Sequence, residues 1–343
     1  MIFNKDKKNS EDRVNQLGIL AGIILVIIIV FQIIYPDVKS REEIAAEGYM
    51  REMLESVSSY CIHHDIPIDT ITDPSGTGLI GPEWSEIATT IGHLEAKRTS
   101  IQPEFAGLMT ELFTELGLKR GDTIALGSSG SFPGLLLACL SAAKAMNLKT
   151  KTILSIGASS FGATRPELNI LTIYNIIYSN GLLEDLPLAV SLGGENDTGD
   201  GWDEHILDQL NQEIAGFGDW GIRRSGDQKI GRSLDHEIRF IKDEVLSESV
   251  REREKIYGME PGCGIKVFVN AGGAMANIGT SPSILKMKPG IVRNFKIPEP
   301  EQQGVIHRAL EYGIPVIHLL NLKGLAMEYG LKWDPVVPGS ENG

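Results

Sequence analysis

Glycines and serines at the spacing of a nucleophile site follow an apolar run that ends at Leu126. The segment reads Gly127-Ser-Ser-Gly-Ser-Phe-Pro-Gly134. It approaches the G-x-S-x-G turn of acyl-transfer enzymes, with Ser131 in place of the last glycine. Ser129 or Ser131 can then attack an acyl carbon while neighbouring N–H groups stabilise the oxyanion. The alternative is that these serines only cap the helix expected to begin near Pro133.

A serine nucleophile needs a base, and one histidine lies at a suitable place in the chain. His318 is close to the end of the last apolar run, and Asp197 lies in an earlier loop. With Ser129 or Ser131 they give the order serine, aspartate, histidine that α/β-hydrolases use, so these four are the catalytic candidates. The alternative for His318 is a packed histidine with a structural role.

Two segments of like charge bear on metal and anion binding. Acidic side chains are dense between Glu195 and Asp203, but their spacing fails the EF-hand pattern, so we expect a solvated loop and no metal site. Arg223 and Arg224 stand out in an acidic chain, and arginine suits bidentate binding of carboxylates. Because neither a Walker motif nor a G-x-G-x-x-G fingerprint is present, no cofactor is predicted.

The elements that must position these residues alternate between short apolar runs and helical segments. This pattern predicts an α/β fold with a mostly parallel sheet of about five strands flanked by helices, a Rossmann-like three-layer arrangement. The predicted strands are Thr123–Leu126, Thr152–Ile156, Leu188–Leu192, Ile265–Val269 and Pro315–Leu320. The predicted helices are Arg41–His64, Pro103–Leu116, Gly134–Met146, Asn169–Asn180, Glu204–Ala215, Ser233–Ile256 and Glu301–Tyr312.

The loops after these strands are expected to meet in one crevice. The carboxyl ends of parallel strands share one edge of a sheet, and ligands bind there in open sheets. Four of the five loops concentrate glycine with serine or asparagine, which ordinary connections do not need. With the basic pair, the predicted ligand-binding residues are Gly130, Ser159, Ser160, Gly193, Gly194, Arg223, Arg224, Asn270, Gly272, Gly273 and Asn321.

A membrane anchor is predicted near the N-terminus. The 19 residues of segment 17–35 carry no charged side chain, and a helix of that length spans roughly 28 Å, close to the thickness of a bilayer's hydrocarbon core. The run is longer than that of a signal peptide and no small-x-small cleavage site follows, so the anchor is expected to stay uncleaved. More basic residues precede than follow it, which predicts a cytoplasmic N-terminus and an extracytoplasmic globule in a single-pass protein.

The predicted domain order follows from this anchor and from the sheet pattern. It consists of a cytoplasmic tail 1–16, the transmembrane signal anchor 17–35, a membrane-proximal helical segment 36–117 packed on the core, the α/β core 118–332 and a flexible tail 333–343.

Charge and cysteine content exclude other classes of protein. The formal net charge is −13, from 32 Lys and Arg against 45 Asp and Glu. This balance disfavours nucleic acid as a partner and loose wrapping around a polyanion, while a small local anion site remains compatible with it. Three cysteines without a C-x-x-C pair exclude a disulfide scaffold.

Strings of residues in these same loops resemble the bacterial poly-γ-glutamate system protein family. They include Thr77-Gly-Leu-Ile-Gly81, Gly130-Ser-Phe-Pro133, Leu154-Ser-Ile-Gly-Ala-Ser159, Val267-Phe-Val-Asn270 and Ile314-Pro-Val-Ile-His-Leu-Leu-Asn321. The resemblance covers nearly all of the chain beyond the anchor, and the single N-terminal anchor is similar as well. It implies a protein that accompanies the machinery making and exporting poly-γ-glutamate, an anionic envelope polymer. It brings no catalytic residue with it.

Two molecular functions are compatible with these features. In the first, the protein is a non-catalytic accessory that binds poly-γ-glutamate, or its synthase or export subunits, at the Gly/Ser-rich crevice. In the second, it is a serine-dependent amide hydrolase or transferase acting on the polymer. A pre-formed basic site for carboxylates favours the first function, and a hydrogen-bonded pair of serine and histidine favours the second.

Overall fold

The computed structural model describes residues 18–20, 22, 39–220, 238–242 and 245–335. Contacts divide the chain into two units, Met1–Ser40 and Arg41–Gly343. In the first unit, residues 18–20 and 22 are helical. Across the described ranges, no helix combines the length and the apolar character needed to cross a bilayer. The predicted anchor 17–35 lies outside those ranges except for residues 18–20 and 22.

A central sheet organises the second unit. The strands in the described ranges are β1 (Ala88–Thr90), β2 (Thr123–Ser129), β3 (Lys149–Ser155), β4 (Ala158–Ser159), β5 (Ala189–Ser191), β6 (Arg239–Ile241), β7 (Ile265–Ala271), β8 (Gly290–Val292) and β9 (Val316–His318). Seven of them form one sheet in the order β6-β5-β3-β2-β7-β9-β8. Neighbours are parallel except for β8, which runs antiparallel to β9. β1 and β4 pair in a separate two-stranded parallel sheet.

Helices connect these strands, and three short 3₁₀ turns interrupt the later loops. The helices with described bounds from residue 41 onward are α1 (Arg41–His63), α2 (Leu94–Ser100), α3 (Glu104–Glu115), α4 (Pro133–Ala145), α5 (Ile170–Ser179), α6 (Glu204–Trp220), α7 (Leu246–Tyr257), α8 (Met275–Ile278), α9 (Val305–Glu311) and α10 (Leu322–Glu328). The 3₁₀ turns are Pro166–Leu168, Pro282–Lys286 and Pro300–Gln302, and each begins with proline, whose fixed φ suits a first helical position.

The central strands are buried on both faces, which is why each contains a short apolar run such as Ile124–Leu126 of β2. Side chains alternate along a strand, so Ile124 and Leu126 of β2 enter one hydrophobic core while Ala125 enters the other. Helices α1, α3, α4, α5 and α6 contribute to the first core. Helices α7 and α9 contribute to the second core. The fold is therefore a three-layer α/β arrangement, with helices on both sides of a mostly parallel sheet.

The predicted fold class is confirmed at this level, and the strand count is corrected. All five predicted strands are present as β2, β3, β5, β7 and β9. The sheet has seven strands because β6 and β8 add one short strand at each edge. Each has three residues, and its two consecutive apolar side chains do not continue into a longer apolar run. The predicted helix Ser233–Ile256 is wrong within the described residues, since Arg239–Ile241 is strand β6 and the helix begins at Leu246.

Candidate functional site

The chain reverses its direction across the sheet between β2 and β7. After β2 it passes through β3, β5 and β6 on one side, and then returns to form β7 and β9 on the other side of β2. In open α/β sheets, ligands bind outside the carboxyl ends of the two strands that border such a switch point. The loops after β2 and β7 therefore border the candidate site.

Three buried polar side chains at this switch point each carry at least one atom without a hydrogen-bond partner. They are Ser129 at the end of β2, Asn270 in β7 and Asn277 in α8, here called the switch-point cluster. The atoms without a partner are Ser129 Oγ, Asn270 Oδ1 and both amide atoms of Asn277. Each of these side chains is at most 1% exposed. An unsatisfied buried polar group costs about 1–3 kcal/mol, so a water molecule or polar ligand that reached these atoms would be bound favourably.

Two glycines let the cluster assemble. A Cβ on Gly127 would lie 2.6 Å from the side-chain nitrogen of Asn277. A Cβ on Gly272 would lie 2.6 Å from Ser129 Oγ, and Gly272 has a φ of +112° that other residues rarely adopt. Glycine is thus required within β2 and directly after β7 for these polar side chains to meet.

His318 adjoins the cluster but does not pair with a serine. Asn270 and His318 are register partners on β7 and β9, and Asn270 Nδ2 donates to His318 Nδ1 over 3.3 Å. Burial, and secondarily the nearby His307, lowers the pKa of His318 to about 4. The imidazole is therefore neutral at pH 7. Ser129 Oγ has no hydrogen-bond partner and Ser131 Oγ accepts from Ser159 N, so the hydrogen-bonded pair of serine and histidine that would favour a hydrolase is not formed.

Asp197 belongs to a different cluster, centred on Arg253 of α7. Arg253 Nη2 lies 2.8 Å from Asp197 Oδ2, and both side chains are buried. The same nitrogen donates to Ser191 Oγ over 2.6 Å and to Ser155 Oγ over 3.0 Å. Ser191 and Ser249 donate to the two carboxylate oxygens of Asp197. This arginine cluster holds together the ends of β3 and β5 and helix α7.

The predicted catalytic triad is therefore not assembled. Asp197 hydrogen-bonds to β5, and His318 lies on β9, with β3, β2 and β7 between them. Four strand spacings correspond to about 19 Å. The ionic partner of Asp197 is Arg253, which is not among the predicted site residues.

A third group lies where the loops after β2 and β3 meet. Lys97 of α2 is 2% exposed. Its Nζ donates to Ser159 Oγ over 2.7 Å and to the main-chain oxygen of Ser131, and it lies 3.7 Å from the centre of the Phe132 ring. Burial lowers the pKa of Lys97 to about 7. Ser159 N donates to Ser131 Oγ over 3.0 Å, so two predicted site serines are in direct contact.

The remaining predicted residues divide between these loops and the surface. Gly130, Ser160 and Gly193 are buried in the loops after β2, β3 and β5. Gly194 and Gly273 are half-buried in the loops after β5 and β7. Asn321 is exposed and caps α10, because its Oδ1 accepts from Gly324 N over 3.1 Å. Arg223 and Arg224 lie outside the described residues.

Two open grooves adjoin each other elsewhere on the surface. The larger has a volume of about 700 Å³ and is lined by Pro67, Pro82, Trp84, Ser85, Glu86, Arg165, Pro166 and Glu167. The smaller, of about 360 Å³, shares Glu86, Pro166 and Glu167 with it and adds Asp203 and His205. The Arg165 guanidinium donates to the main-chain oxygens of Ile80 and Pro67. Their carboxylates make both grooves unfavourable for a polyanion.

The acidic loop between Glu195 and Asp203 is organised by internal hydrogen bonds. Thr198 and Asn196 donate to the carboxylate of Asp200, and these bonds, that of Thr198 first, lower its pKa. Within the residues that the structure describes, no group of three or more His, Cys, Asp or Glu side chains is arranged to hold a metal ion.

Sequence reasoning did not find Lys97, Arg253 and Asn277. Arg253 carried a signal, because Leu246, Val250, Arg253 and Tyr257 share one helical face and the other three are apolar and buried. Lys97 lies in Leu-Glu-Ala-Lys-Arg-Thr-Ser, a sequence typical of an exposed helix, so its burial depends on contacts that no local pattern indicates.

The sheet and its two helical layers define a mixed α/β protein with a mostly parallel central sheet flanked by helices. In comparisons with protein-family models, curated proteins and solved structures, nothing matches this chain.

Proposed function

We propose that this protein is a membrane-anchored, extracytoplasmic accessory protein of poly-γ-glutamate synthesis or export, which binds the polymer or its synthase at the switch point. The resemblance of its loop sequences and the apolar segment 17–35 support the process and the location. The globule then faces the space that the polymer crosses. The molecular role depends on the switch-point cluster.

The observation that carries this role is the set of unpartnered polar atoms in that cluster. A γ-glutamyl unit presents a carboxylate, an amide N–H and an amide oxygen. Ser129 and the amide nitrogen of Asn277 are donors that suit a carboxylate or amide oxygen, and the Oδ1 atoms of Asn270 and Asn277 accept from an amide N–H. One ligand unit therefore satisfies groups that are otherwise buried at a cost.

The charge of the protein limits how polymer is bound. With a formal net charge of −13, the protein repels a long polyanion over most of its surface. The acidic side chains Glu86, Glu167 and Asp203 of the open grooves add to this repulsion. We therefore assign to the site one or a few γ-glutamyl units, such as a chain end.

The alternative with Ser129 or Ser131 as the nucleophile and His318 as its base has less support. Ser129 Oγ has no hydrogen-bond partner, and Ser131 Oγ accepts from Ser159 N. His318 Nδ1 accepts a hydrogen bond from Asn270 Nδ2. None of these contacts activates a hydroxyl.

Replacing Asn277 by Leu tests the binding role. The change Asn277→Leu removes two unsatisfied buried polar atoms, so thermal stability should be unchanged or higher, while affinity for short oligo-γ-glutamate should fall about tenfold through lost hydrogen bonds. Full-length protein in detergent is titrated calorimetrically with oligomers of defined length and melted in parallel. Asn180→Leu, at an exposed helix end, is the matched control and should keep wild-type affinity.

The proposal requires that Asn277→Leu lower the affinity for oligo-γ-glutamate without lowering the melting temperature. A purely structural Asn277 gives a lower melting temperature with unchanged affinity. Wild-type protein that binds no oligomer contradicts the polymer-binding function.

The predicted topology has its own test. A C-terminal fusion to an enzyme that folds only outside the cytoplasm should be active, and the same fusion to a cytoplasm-specific reporter should be inactive. Deleting segment 17–35 should reverse both results. Activity of the cytoplasmic reporter in the full-length fusion contradicts both the orientation and the proposed process.

A further inference from the structure

The contact between Lys97 and Ser159 has the geometry of a base beside a nucleophile. Lys97 Nζ and Ser159 Oγ are 2.7 Å apart, within the range required for proton transfer. The ammonium position is fixed from a second side by the main-chain oxygen of Ser131 and from a third by the Phe132 ring. Of these three contacts, only the Ser159 hydroxyl can exchange a proton with Lys97.

A merely structural lysine explains this arrangement poorly. Among the described residues, no carboxylate or histidine side chain forms an ion pair or hydrogen bond with Lys97, whose contacts are a hydroxyl, a carbonyl and an aromatic ring. Burying an ammonium without a counter-charge is costly, and an apolar side chain of similar length fills the same space without that cost. A neutral amine, in contrast, fits these contacts: its N–H donates to Ser131 and its lone pair accepts the Ser159 hydroxyl.

We propose that Ser159 is an acyl-transfer nucleophile and that Lys97 is its general base. Burial that lowers the pKa of Lys97 to about 7 leaves a substantial fraction of the amine neutral near neutral pH, as a base requires. Ser131 is a positioning residue, because its Oγ accepts from Ser159 N and holds the main chain of β4 in place.

The surroundings give Ser159 a short path to solvent. Ser159 is 8% exposed. Its register partner on β1 is Thr90, which is exposed, and the following Ile91 is 83% exposed. Gly92 lies against the pair, and a Cβ there would be 3.1 Å from Ser159 Oγ. The nucleophile is therefore one residue layer below the surface, under an edge made of small and β-branched residues.

The reaction balances with water as the second substrate. Ser159 Oγ forms a bond to the carbonyl carbon of an amide while its proton passes to Lys97 Nζ. The tetrahedral intermediate collapses, the C–N bond breaks, and Lys97 returns the proton to the leaving amine. Water then attacks the Ser159 ester, Lys97 takes its proton and gives it to Ser159 Oγ, and the acid is released. An amine in place of water gives transfer.

The substrate class is an amide or ester carbonyl at the end of a flexible chain that reaches past Thr90. That this amide is γ-glutamyl rests on the proposed function. The nucleophile and base do not depend on it, and a probe of serine chemistry tests them separately from polymer binding.

A fluorophosphonate probe, which forms a covalent bond with activated serines, provides the test. Full-length protein in detergent is incubated with the probe and analysed by intact mass and peptide mapping. We expect one adduct, on Ser159, and none in Ser159→Ala. Lys97→Met should label at least 100-fold more slowly. Lys151→Met is the matched control, since Lys151 also donates to a main-chain oxygen and forms no hydrogen bond with a serine among the described residues. It should label like the wild type.

The pH profile separates a base from a packing residue. Wild-type labelling should rise through pH 7 as Lys97 loses its proton and then level off, and Lys97→Met should lack this rise. If Lys97→Met does not fold, the pH profile of wild-type labelling and the identity of the labelled serine still test the proposal. No wild-type adduct, an adduct on another serine, unchanged labelling in Ser159→Ala, or a profile that stays flat through pH 7 each overturns the proposal. Loss of oligomer binding with intact labelling contradicts only the proposed function.

Discussion

Replacing Arg253 by Met should lower the free energy of unfolding by about 3–5 kcal/mol, because the change leaves the Asp197 carboxylate buried without its cation. The Arg253 side chain is fully buried and lies 2.8 Å from Asp197. Its guanidinium also binds the hydroxyls of Ser155 and Ser191, so the change removes hydrogen bonds that join two strands to α7. Urea unfolding of wild type and Arg253→Met measures the loss.

A neighbour on the same helix supplies the control for Arg253. Arg251 is exposed, so Arg251→Met should change the free energy of unfolding by no more than about 0.5 kcal/mol. In the double variant Arg253→Met with Asp197→Asn, part of the loss should be recovered, because the unpaired charge is gone. Equal losses for Arg253 and Arg251, or no recovery in the double variant, contradict the ion pair as the source of stability.

Replacing Gly130 by Ala should destabilise the protein by about 2 kcal/mol and also slow Ser159 labelling. The added Cβ would lie 2.4 Å from the main-chain oxygen of Ile156 and 3.0 Å from the Ala158 Cβ. A main-chain atom cannot rotate away, so the loops after β2 and β3 must separate. Ser131 and Ser159 are carried on these two loops, and their contact is then strained. The same unfolding and labelling measurements report both effects.

Gly48→Ala is the control with the opposite sign. Gly48 lies in the middle of α1, where an added Cβ meets open space. Alanine there should raise the free energy of unfolding by about 0.5–1 kcal/mol through its higher helix propensity and leave labelling unchanged. A Gly130→Ala variant as stable as wild type contradicts the close approach of the two loops.

The sequence predicts the centre of the sheet well because the physical cause is local. Strands such as β2 and β7 are buried on both faces, so each contains a short apolar run that stands out between glycine-containing turns. The edge strands β6 and β8 were not predicted, because each has only two consecutive apolar residues and an arginine beside them. Strands β5 and β9 are equally short but lie within longer apolar runs, which made them recognisable. The predicted helix Ser233–Ile256 began too early for the same reason, because no local pattern marked β6 as a strand.

The candidate site was predictable in its location but not in its contacts. Parallel strands and glycine-rich loops indicate one edge of the sheet, and the carboxyl ends of β2, β3, β5, β7 and β9 share it. The order of the strands in the sheet determines which side chains meet there. That order could not be predicted from the sequence. With β5 and β9 separated by three strands, Asp197 meets Arg253 and not His318.

The position of β7 also determines when the sheet can be completed during synthesis. Ser128 on β2 hydrogen-bonds to the main-chain oxygen of Ala271 on β7, a residue 143 positions further along the chain. β2, β3, β5 and β6 emerge first and can pair, while the other edge of β2 stays open until β7 is made. An open edge of a central, apolar strand is a template for pairing with other chains. The nascent protein therefore needs shielding from its neighbours until the last quarter of the chain arrives.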